Sequence, residues 1–299
     1  VTVPGVMDFY GDFRIGNPAL LVGGFNTHLG WATTNNNTDN EALYALELLE
    51  KSGSENFVEI ITAQLSSPYP EVRIYAAKSI ERLNIVEALP EISTLVKRDA
   101  IPNVRQAAAC TWSALTVDTS TASKLLISKD PSTLRGTVIG LLRTRNTGEV
   151  PEAFQHLNLL TQSKSPQERT EAAYLLAEIS NPQLYEVLLP LLQDESIEVK
   201  KSALRAAAKT RHPAIYPLVI IALASPQTRS LAFNALVAGK EIALPEIIKS
   251  IKDETLHRRI HLRLVRACSH IKGDAIHALE SWINHHNVNL RSRVLTALH

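Results

Sequence analysis

The sequence predicts an all-α protein, a right-handed α-solenoid of about eight to nine helix pairs, preceded by a short N-terminal β-ribbon. Two observations lead to this prediction. A pattern of a basic residue followed by a small or aliphatic residue recurs along most of the 299 residues. The composition also changes near residue 39, because residues 1–39 hold six of the twelve glycines.

The glycine-rich N-terminal stretch is typical of strands and tight turns rather than helix. Apolar alternation in PALLVGGF and HLGWATT predicts short strands near 19–24 and 28–34, joined at Asn26-Thr27. We expect residues 1–39 to form a β segment that packs on the first helix pair or is poorly ordered. The repeat array is expected to occupy residues 40–299.

Residues 1–39 also resemble an internal segment of the penicillin acylase and acyl-homoserine lactone acylase family. The shared elements are PG at 4–5, GFN at 24–26, HLGW at 28–31 and the polar run that ends at Asp39. These acylases are N-terminal nucleophile hydrolases, in which a new N-terminal Ser, Thr or Cys attacks the substrate. The resemblance implies that Asn35 is a remnant of the oxyanion hole.

The same resemblance implies that catalysis needs residues outside this chain. The family's nucleophile lies upstream of the matched segment, whereas this chain begins at Val1, which suggests a fragment or a processed product. The second oxyanion donor of the family would fall within the helical repeats. We therefore expect no catalytic residue in this chain and no complete catalytic constellation.

From residue 40 onward, a Pro, Asp or Ser turn precedes a basic residue, with a small or aliphatic residue three places later. Examples are PYPEVRIYAAKSIERL at 68–83 and ESIEVKKSALRAAAKT at 195–210. The basic residues, called the ladder residues, are 29 to 34 residues apart and comprise Arg73, Arg105, Arg135, Arg169, Lys200, Arg229, Arg259 and Arg291. The residues three places later are Ala76, Ala108, Val138, Ala172, Ala203, Ala232, Leu262 and Val294. Because positions i and i+3 share one helix face, each unit should contain a helix that begins near its ladder residue.

Second apolar stretches, such as 88–96, 183–193 and 243–251, separate these helices, so each unit predicts two antiparallel helices. The pattern over about 40–299 resembles the HEAT-repeat family of the HEAT-like or PBS-lyase type. One helix pair cannot bury both of its faces, so the resemblance implies stacked pairs. Most proteins of the family bind other proteins on the concave helix row, while some relatives modify bilins or excise DNA bases.

The ladder residues have two possible roles. They brace the array by bonding carbonyls or a turn Asp of the next repeat, or they form a phosphate-binding stripe. We favour bracing, and expect Arg73, Arg105, Arg169, Lys200, Arg229 and Arg259 to line or brace the ridge beside the concave face. A cation near a helix N-terminus is disfavoured by the helix dipole, so each one needs a local partner.

The charge balance gives no reason to expect a nucleic-acid partner. Lys plus Arg total 31 against 30 for Asp plus Glu, and aromatic residues make up 5%. The most basic window, HRRIHLRLVR at 257–266, fits a solvated helix face, an acidic partner or a phosphate backbone. His257 and His261 have the i, i+4 spacing of a metal pair but no third ligand nearby, so we expect no metal and no cofactor.

The sequence therefore predicts a non-catalytic, cytoplasmic, protein-binding scaffold that holds its partner on the concave face. We expect no membrane insertion, because the longest apolar stretch, at 216–224, is too short for a bilayer. No small-molecule substrate is indicated. Two alternatives remain: a fragment of an N-terminal nucleophile acylase that lacks its nucleophile, and a HEAT-type lyase or nucleic-acid-binding protein.

Overall fold

The computed structural model describes residues 39–53, 56–117, 119–145, 147, 149–253, 255–271, 275, 279, 282–283 and 288–298. All regular secondary structure in these ranges is helical, which confirms the prediction of an all-α repeat array. The predicted β-ribbon lies outside the described residues, apart from Asp39, which is the first residue of a helix.

From α3 to α15, helices that begin near a ladder residue, called the ladder helices, alternate with shorter helices. The first half contains α1 Asp39–Ser52, α2 Phe57–Ala63, α3 Pro70–Leu83, α4 Leu89–Arg98, α5 Pro102–Leu115, α6 Thr119–Ser123, α7 Pro131–Thr144 and α8 Pro151–Thr161. The second half contains α9 Pro166–Ile179, α10 Tyr185–Leu192, α11 Ile197–Thr210, α12 Tyr216–Ala222, α13 Arg229–Gly239, α14 Leu244–Lys252, α15 Arg258–Ile271 and α16 Val288–Leu298.

The ends of the ladder helices follow from local sequence. Pro70, Pro102 and Pro166 occupy the first turn of α3, α5 and α9, where the missing N–H has no helical acceptor to lose. Asn84 and Ser180 end α3 and α9 in the left-handed region, with φ of 56° and 55°. These stops let the chain reverse into the next short helix.

The chain divides into two compact units, and the boundary falls inside α7, between Thr137 and Val138. In the first unit, α3 packs directly on α5. Ala76 and Ala108 are fully buried there. The hydroxyl of Thr111 donates a 2.9 Å hydrogen bond to the carbonyl of Ala77 on the facing helix. Small side chains at these positions allow the close approach.

Gly136 marks a close approach of two helices in the first unit. A Cβ at this position would overlap the carbonyl oxygen of Gln106 and lie 2.9 Å from the Cβ of Ala109 on α5. It would also lie 3.0 Å from the backbone nitrogen of Cys110. The obstacles are largely backbone atoms, so α5 and α7 can approach this closely only because residue 136 has no side chain.

In the second unit, α9 packs on α11, and α11 packs on α13. Ala172, Ala203 and Ala232, three places after their ladder residues, are all fully buried. The short helices α8, α10, α12 and α14 cover one side of this row with large apolar side chains. Their fully buried residues include Leu157, Leu188, Val219 and Ile247. Stacked helix pairs of this kind form a HEAT-like solenoid.

We predict that Gly136→Ala lowers the free energy of unfolding by about 1–3 kcal/mol, because an added methyl group would force α5 and α7 apart. Intrinsic helix propensity alone would give the opposite sign, a gain of about 1 kcal/mol. Urea denaturation followed by circular dichroism measures the difference. A stabilised Gly136→Ala variant would contradict the close packing of the two helices.

Candidate functional site

Arg73 shows how a ladder residue is held. Its Nε and Nη2 donate to the two carboxylate oxygens of Asp99, over 2.8 and 3.0 Å. Its Nη1 donates to the carbonyls of Ser67 and Pro68, over 2.7 and 3.2 Å. We call this arrangement an arginine clamp. It ties a ladder helix to the turn before it and to the turn that begins the next repeat.

Arg105 makes a second clamp. Its Nε and Nη2 bind the carboxylate of Asp130 at 2.9 and 3.1 Å, while Nη1 reaches the carbonyls of Asp99 and Ala100 at 2.8 and 3.1 Å. Asp99 therefore takes part in two clamps: its carboxylate binds Arg73, and its backbone carbonyl binds Arg105. The clamps form a connected polar chain inside the first unit.

Arg169 repeats the geometry in the second unit. It binds the carboxylate of Asp194 at 2.5 and 2.9 Å and the carbonyls of Ser163 and Lys164 at 2.8 and 3.1 Å. The side chains of Arg169 and Asp194 are only 18% and 7% exposed, so water competes little for these bonds. Two parallel charge-assisted hydrogen bonds in such a setting are among the stronger polar contacts in proteins.

The Arg169 and Arg105 clamps shift the pKa of both partners. The hydrogen bond from Arg169 lowers the pKa of Asp194, and the same bond raises the pKa of Arg169. In the first unit, Arg105 lowers the pKa of Asp130 and has its own pKa raised. Asp130 and Asp194 thus stay ionised at a lower pH than an isolated aspartate, and their charges offset the unfavourable position of the cation in the first helical turn.

The remaining candidate residues are placed differently. The charge of Lys200 contributes to the lowered pKa of Asp194, with no ion pair of its own among the described residues. Arg229 has its Nε buried without a hydrogen-bond partner. Arg259 is exposed, and its backbone N–H donates to the ring of His257 over 3.1 Å. Asn35 lies outside the described residues.

The carboxylate partners of the clamps were not identified from the sequence. Asp99 follows Arg73 by 26 residues, and Asp130 and Asp194 follow their arginines by 25. The near-constant separation between arginine and aspartate could have identified the partners from the sequence. It distinguishes them from other aspartates only when the repeats are aligned by their turns rather than by their helices. Each Asp also accepts a backbone N–H at the start of the following helix, as Asp194 does from Ser196 at 2.8 Å.

The two histidines with metal-pair spacing serve other contacts. The ring of His257 accepts from the N–H of Arg259, and Nε2 of His261 lies 2.9 Å from the carbonyl oxygen of Asp253. Across the part of the chain that the structure describes, no group of three or more His, Cys, Asp or Glu side chains is arranged to hold a metal ion.

A second surface lies on four of the ladder helices, five residues after the ladder position, whereas Cys110 and Leu264 at the same position of α5 and α15 are buried. We call this set the open row. It consists of Lys78, Tyr174, Arg205 and Asn234, all exposed. The side chains three places after the ladder residues face the neighbouring helices, so the open row lies on a different side of each helix. It therefore exposes side chains at one repeated position to solvent.

We predict that Asp194→Asn lowers the free energy of unfolding by about 2 kcal/mol at pH 7, because Arg169 loses its ionised acceptor. Chemical denaturation measures the change. Glu198→Gln is the matched control: Glu198 pairs with Lys201, but the two side chains are 66% and 30% exposed, so the loss should stay below about 0.5 kcal/mol.

The Arg169–Asp194 pair also predicts that the free energy of unfolding depends on pH. The pKa of Asp194 is lower in the folded state than the unfolded value of about 3.9, so its stabilisation is present above that value and is lost as the pH falls through the folded pKa. Between pH 5 and pH 2 or so, wild-type stability should fall more steeply than that of Asp194→Asn. Parallel curves in urea melts over this range would contradict the clamp.

Two protein families match parts of the chain. The family model for penicillin amidase matches residues 1–168, and the model for HEAT repeats matches residues 154–238. The penicillin amidase match extends beyond the 39 to 47 residues on which the sequence resemblance rested and continues through α1 to α8. A comparison with curated protein sequences gives no significant match.

Solved structures with similar helical repeats include human deoxyhypusine hydroxylase, with 14% identity, a TM-score of 0.42 and coverage of 94% of this chain and 96% of that chain. Yeast importin-beta has 12% identity and a TM-score of 0.45, with 92% of this chain covered. The chain spans 47% of the importin-beta chain. Since the penicillin amidase model covers more than half of the residues, the chain belongs to the penicillin amidase family, and its described helices form a HEAT-like solenoid.

Proposed function

We propose that the chain is a non-catalytic scaffold that binds a protein along the concave face of its repeat array. The open row is the observation that carries this proposal. In the second unit, Tyr174, Arg205 and Asn234 repeat at one position on three consecutive ladder helices. Packed helices lie about 8–10 Å apart, so these side chains offer evenly spaced contact points for an extended partner.

The interior of the array supports a binding role because it holds the ladder helices rigidly. The Arg73, Arg105 and Arg169 clamps fix the helix starts, and buried alanines fix the spacing between neighbouring helices. A surface that is already ordered loses little entropy when it binds. The exposed side chains of the open row are therefore presented by a preorganised framework.

The clamps also weigh against the phosphate-stripe alternative. Arg73, Arg105 and Arg169 each direct two N–H groups at an aspartate of the chain itself. An incoming phosphate would have to displace those carboxylates, at the cost of leaving each one without its partner in a position that is largely shielded from water. A nucleic acid that followed the ladder would meet neutralised charges at these positions.

The cytoplasm is the compartment we propose. Cys110 and Cys268 are both buried, and neither forms a disulfide bond. Burial raises the pKa of Cys268 to about 11, so this thiol is protonated and unreactive at neutral pH. Buried cysteines that form no disulfide bond are typical of reducing compartments. None of the described helices combines the length and apolarity needed to span a membrane.

We predict that a photo-cross-linking residue at position 174, 205 or 234 forms a protein adduct in extract of the source cells, because these positions face the partner. The same residue at position 159 or 221 should form no adduct, although Leu159 and Ile221 are 63% and 60% exposed. Those two lie on α8 and α12, outside the ladder row. Mass spectrometry identifies the adducts. Equal labelling at both sets of positions would contradict the proposal.

Acyl-amide hydrolysis is the second candidate, because the penicillin amidase match covers residues 1–168. Another chain would have to supply the nucleophile, with Asn35 as one oxyanion donor. On the scaffold proposal, we predict that this chain alone does not hydrolyse a chromogenic acyl amide and that Asn35→Ala changes nothing. Hydrolysis that is lost in the Asn35→Ala variant would favour the acylase instead.

A further inference from the structure

Three arginines come together where α13 packs on α15. Arg229 begins α13, and Arg259 and Arg263 lie one turn apart on α15. We call them the arginine cluster. The two helices pack on each other, so the i, i+4 pair on α15 faces the same region as the start of α13.

Arg229 departs from the clamp geometry of the earlier ladder residues. In the three clamps, Nε donates to a turn aspartate, but Nε of Arg229 is buried and has no hydrogen-bond partner. The corresponding turn residue is Asp253, which precedes Arg259 by six residues as Asp194 precedes Lys200. Its carboxylate binds the backbone N–H and hydroxyl of Thr255 instead, at 2.9 and 2.6 Å.

Arg263 donates to the backbone carbonyl that Arg229 would bind if it formed a clamp. In the clamps, Nη1 binds the carbonyl six residues earlier, as in Arg73 with Ser67. The carbonyl six residues before Arg229 belongs to Leu223, and it accepts a 2.6 Å hydrogen bond from Nη1 of Arg263. Arg263 therefore takes the place of Arg229 as the donor to the Leu223 carbonyl, and the guanidinium of Arg229 lacks the usual clamp contacts.

The cluster also lacks a compensating negative charge. Burial is the main cause that lowers the pKa of Arg263, and the positive charges of Arg229 and Arg259 lower it further. Among the residues that the structure describes, no carboxylate forms an ion pair with any of the three. Close cations with one orphaned buried donor are energetically unfavourable unless an external anion binds them.

A neighbouring cation extends the same surface. The guanidinium carbon of Arg266 lies 5.4 Å from the ring centroid of Phe233, four residues after Arg229. The ring of His270 meets the same phenyl ring edge-on, with centroids 5.3 Å apart. This cation–π contact orients Arg266 and reduces the entropy that it would lose on binding an anion.

We propose that the arginine cluster binds the carboxylates of an acidic segment, rich in Asp and Glu, in the protein partner. This proposal rests on the scaffold function and names the chemistry of its partner. The guanidinium group matches a carboxylate in bidentate geometry, and the chain itself pairs three equivalent arginines with aspartates. A nucleic acid fits less well, because Arg169 is neutralised by Asp194 and the cationic surface is not continuous along the array.

The test uses the full chain and a fluorescein-labelled peptide of alternating Asp and Glu residues, with fluorescence anisotropy as the readout. A peptide of alternating Asn and Gln residues is the neutral reference, and oligothymidylate of equal length is the polyphosphate reference. We expect the acidic peptide to bind more tightly than either reference. The double variant Arg229→Gln/Arg259→Gln should weaken that binding roughly tenfold or more.

The matched control removes two positive charges elsewhere. Arg98 and Lys164 are exposed and lie outside the cluster, so Arg98→Gln/Lys164→Gln should bind the acidic peptide as tightly as the wild type. Thermal unfolding establishes that both double variants are folded. Arg263 is left in place because its bond to Leu223 helps to hold α12 and α15 together.

Three results would overturn the proposal: no preference for the acidic over the neutral peptide, equal loss of affinity in both double variants, or tighter binding of oligothymidylate than of the peptide. The peptide assay needs no natural partner. Its failure would therefore leave the cross-linking result for the open row untouched, whereas failed cross-linking with intact peptide binding would reject the scaffold function alone.

Discussion

A guanidinium group in the first turn of a helix is the constraint on which the repeat array depends. The helix dipole disfavours a cation there, and the surrounding packing removes most of the water that could solvate it. Arg73, Arg105 and Arg169 resolve this conflict by binding an aspartate of the next turn and two carbonyls of the preceding turn. The hydrogen bonds that compensate the buried charge also join consecutive helix pairs. They therefore help to fix the geometry of the repeats.

This arrangement divides the ladder helices into surfaces with separate roles. In α3 and α9, the residue at the ladder position holds the turns, the alanine three places later is buried, and the residue five places later, Lys78 or Tyr174, is exposed. The exposed position can therefore vary in chemistry without disturbing the clamp or the alanine contacts. Where the clamp itself changes, at Arg229, a charged surface without an internal partner results.

The fold was predictable because its signal is local and repeated. The ladder residues and the small or aliphatic residues three places after them lie on one helix face. Seven of the eight small or aliphatic residues are fully buried, namely Ala76, Ala108, Val138, Ala172, Ala203, Ala232 and Val294. Leu262 is only partly buried. This larger side chain lies on α15 between Arg259 and Arg263 of the arginine cluster, in the repeat that lacks a clamp.

The site was less predictable because its contacts join residues far apart in sequence. Asp99, Asp130 and Asp194 look like ordinary turn residues until the fold places them beside an arginine. Arg229 follows the same Ser-Pro-Gln turn as Arg169, but its Nε has no hydrogen-bond partner, and the carbonyl of Leu223 accepts from Arg263 instead. Hydrogen bonds between repeats depend on helix packing, which no short window of sequence contains.

Asp99 has a consequence that reaches past its own turn. Because one residue serves Arg73 through its side chain and Arg105 through its backbone, adjacent repeats cannot melt independently at this point. In many solenoids each repeat contacts only its neighbours, so unfolding can proceed one repeat at a time from an end. Because Asp99 is shared, the smallest cooperative unfolding unit here should be longer than a single repeat. Partial unfolding of the first unit should therefore stop where these hydrogen bonds end rather than at the end of each repeat.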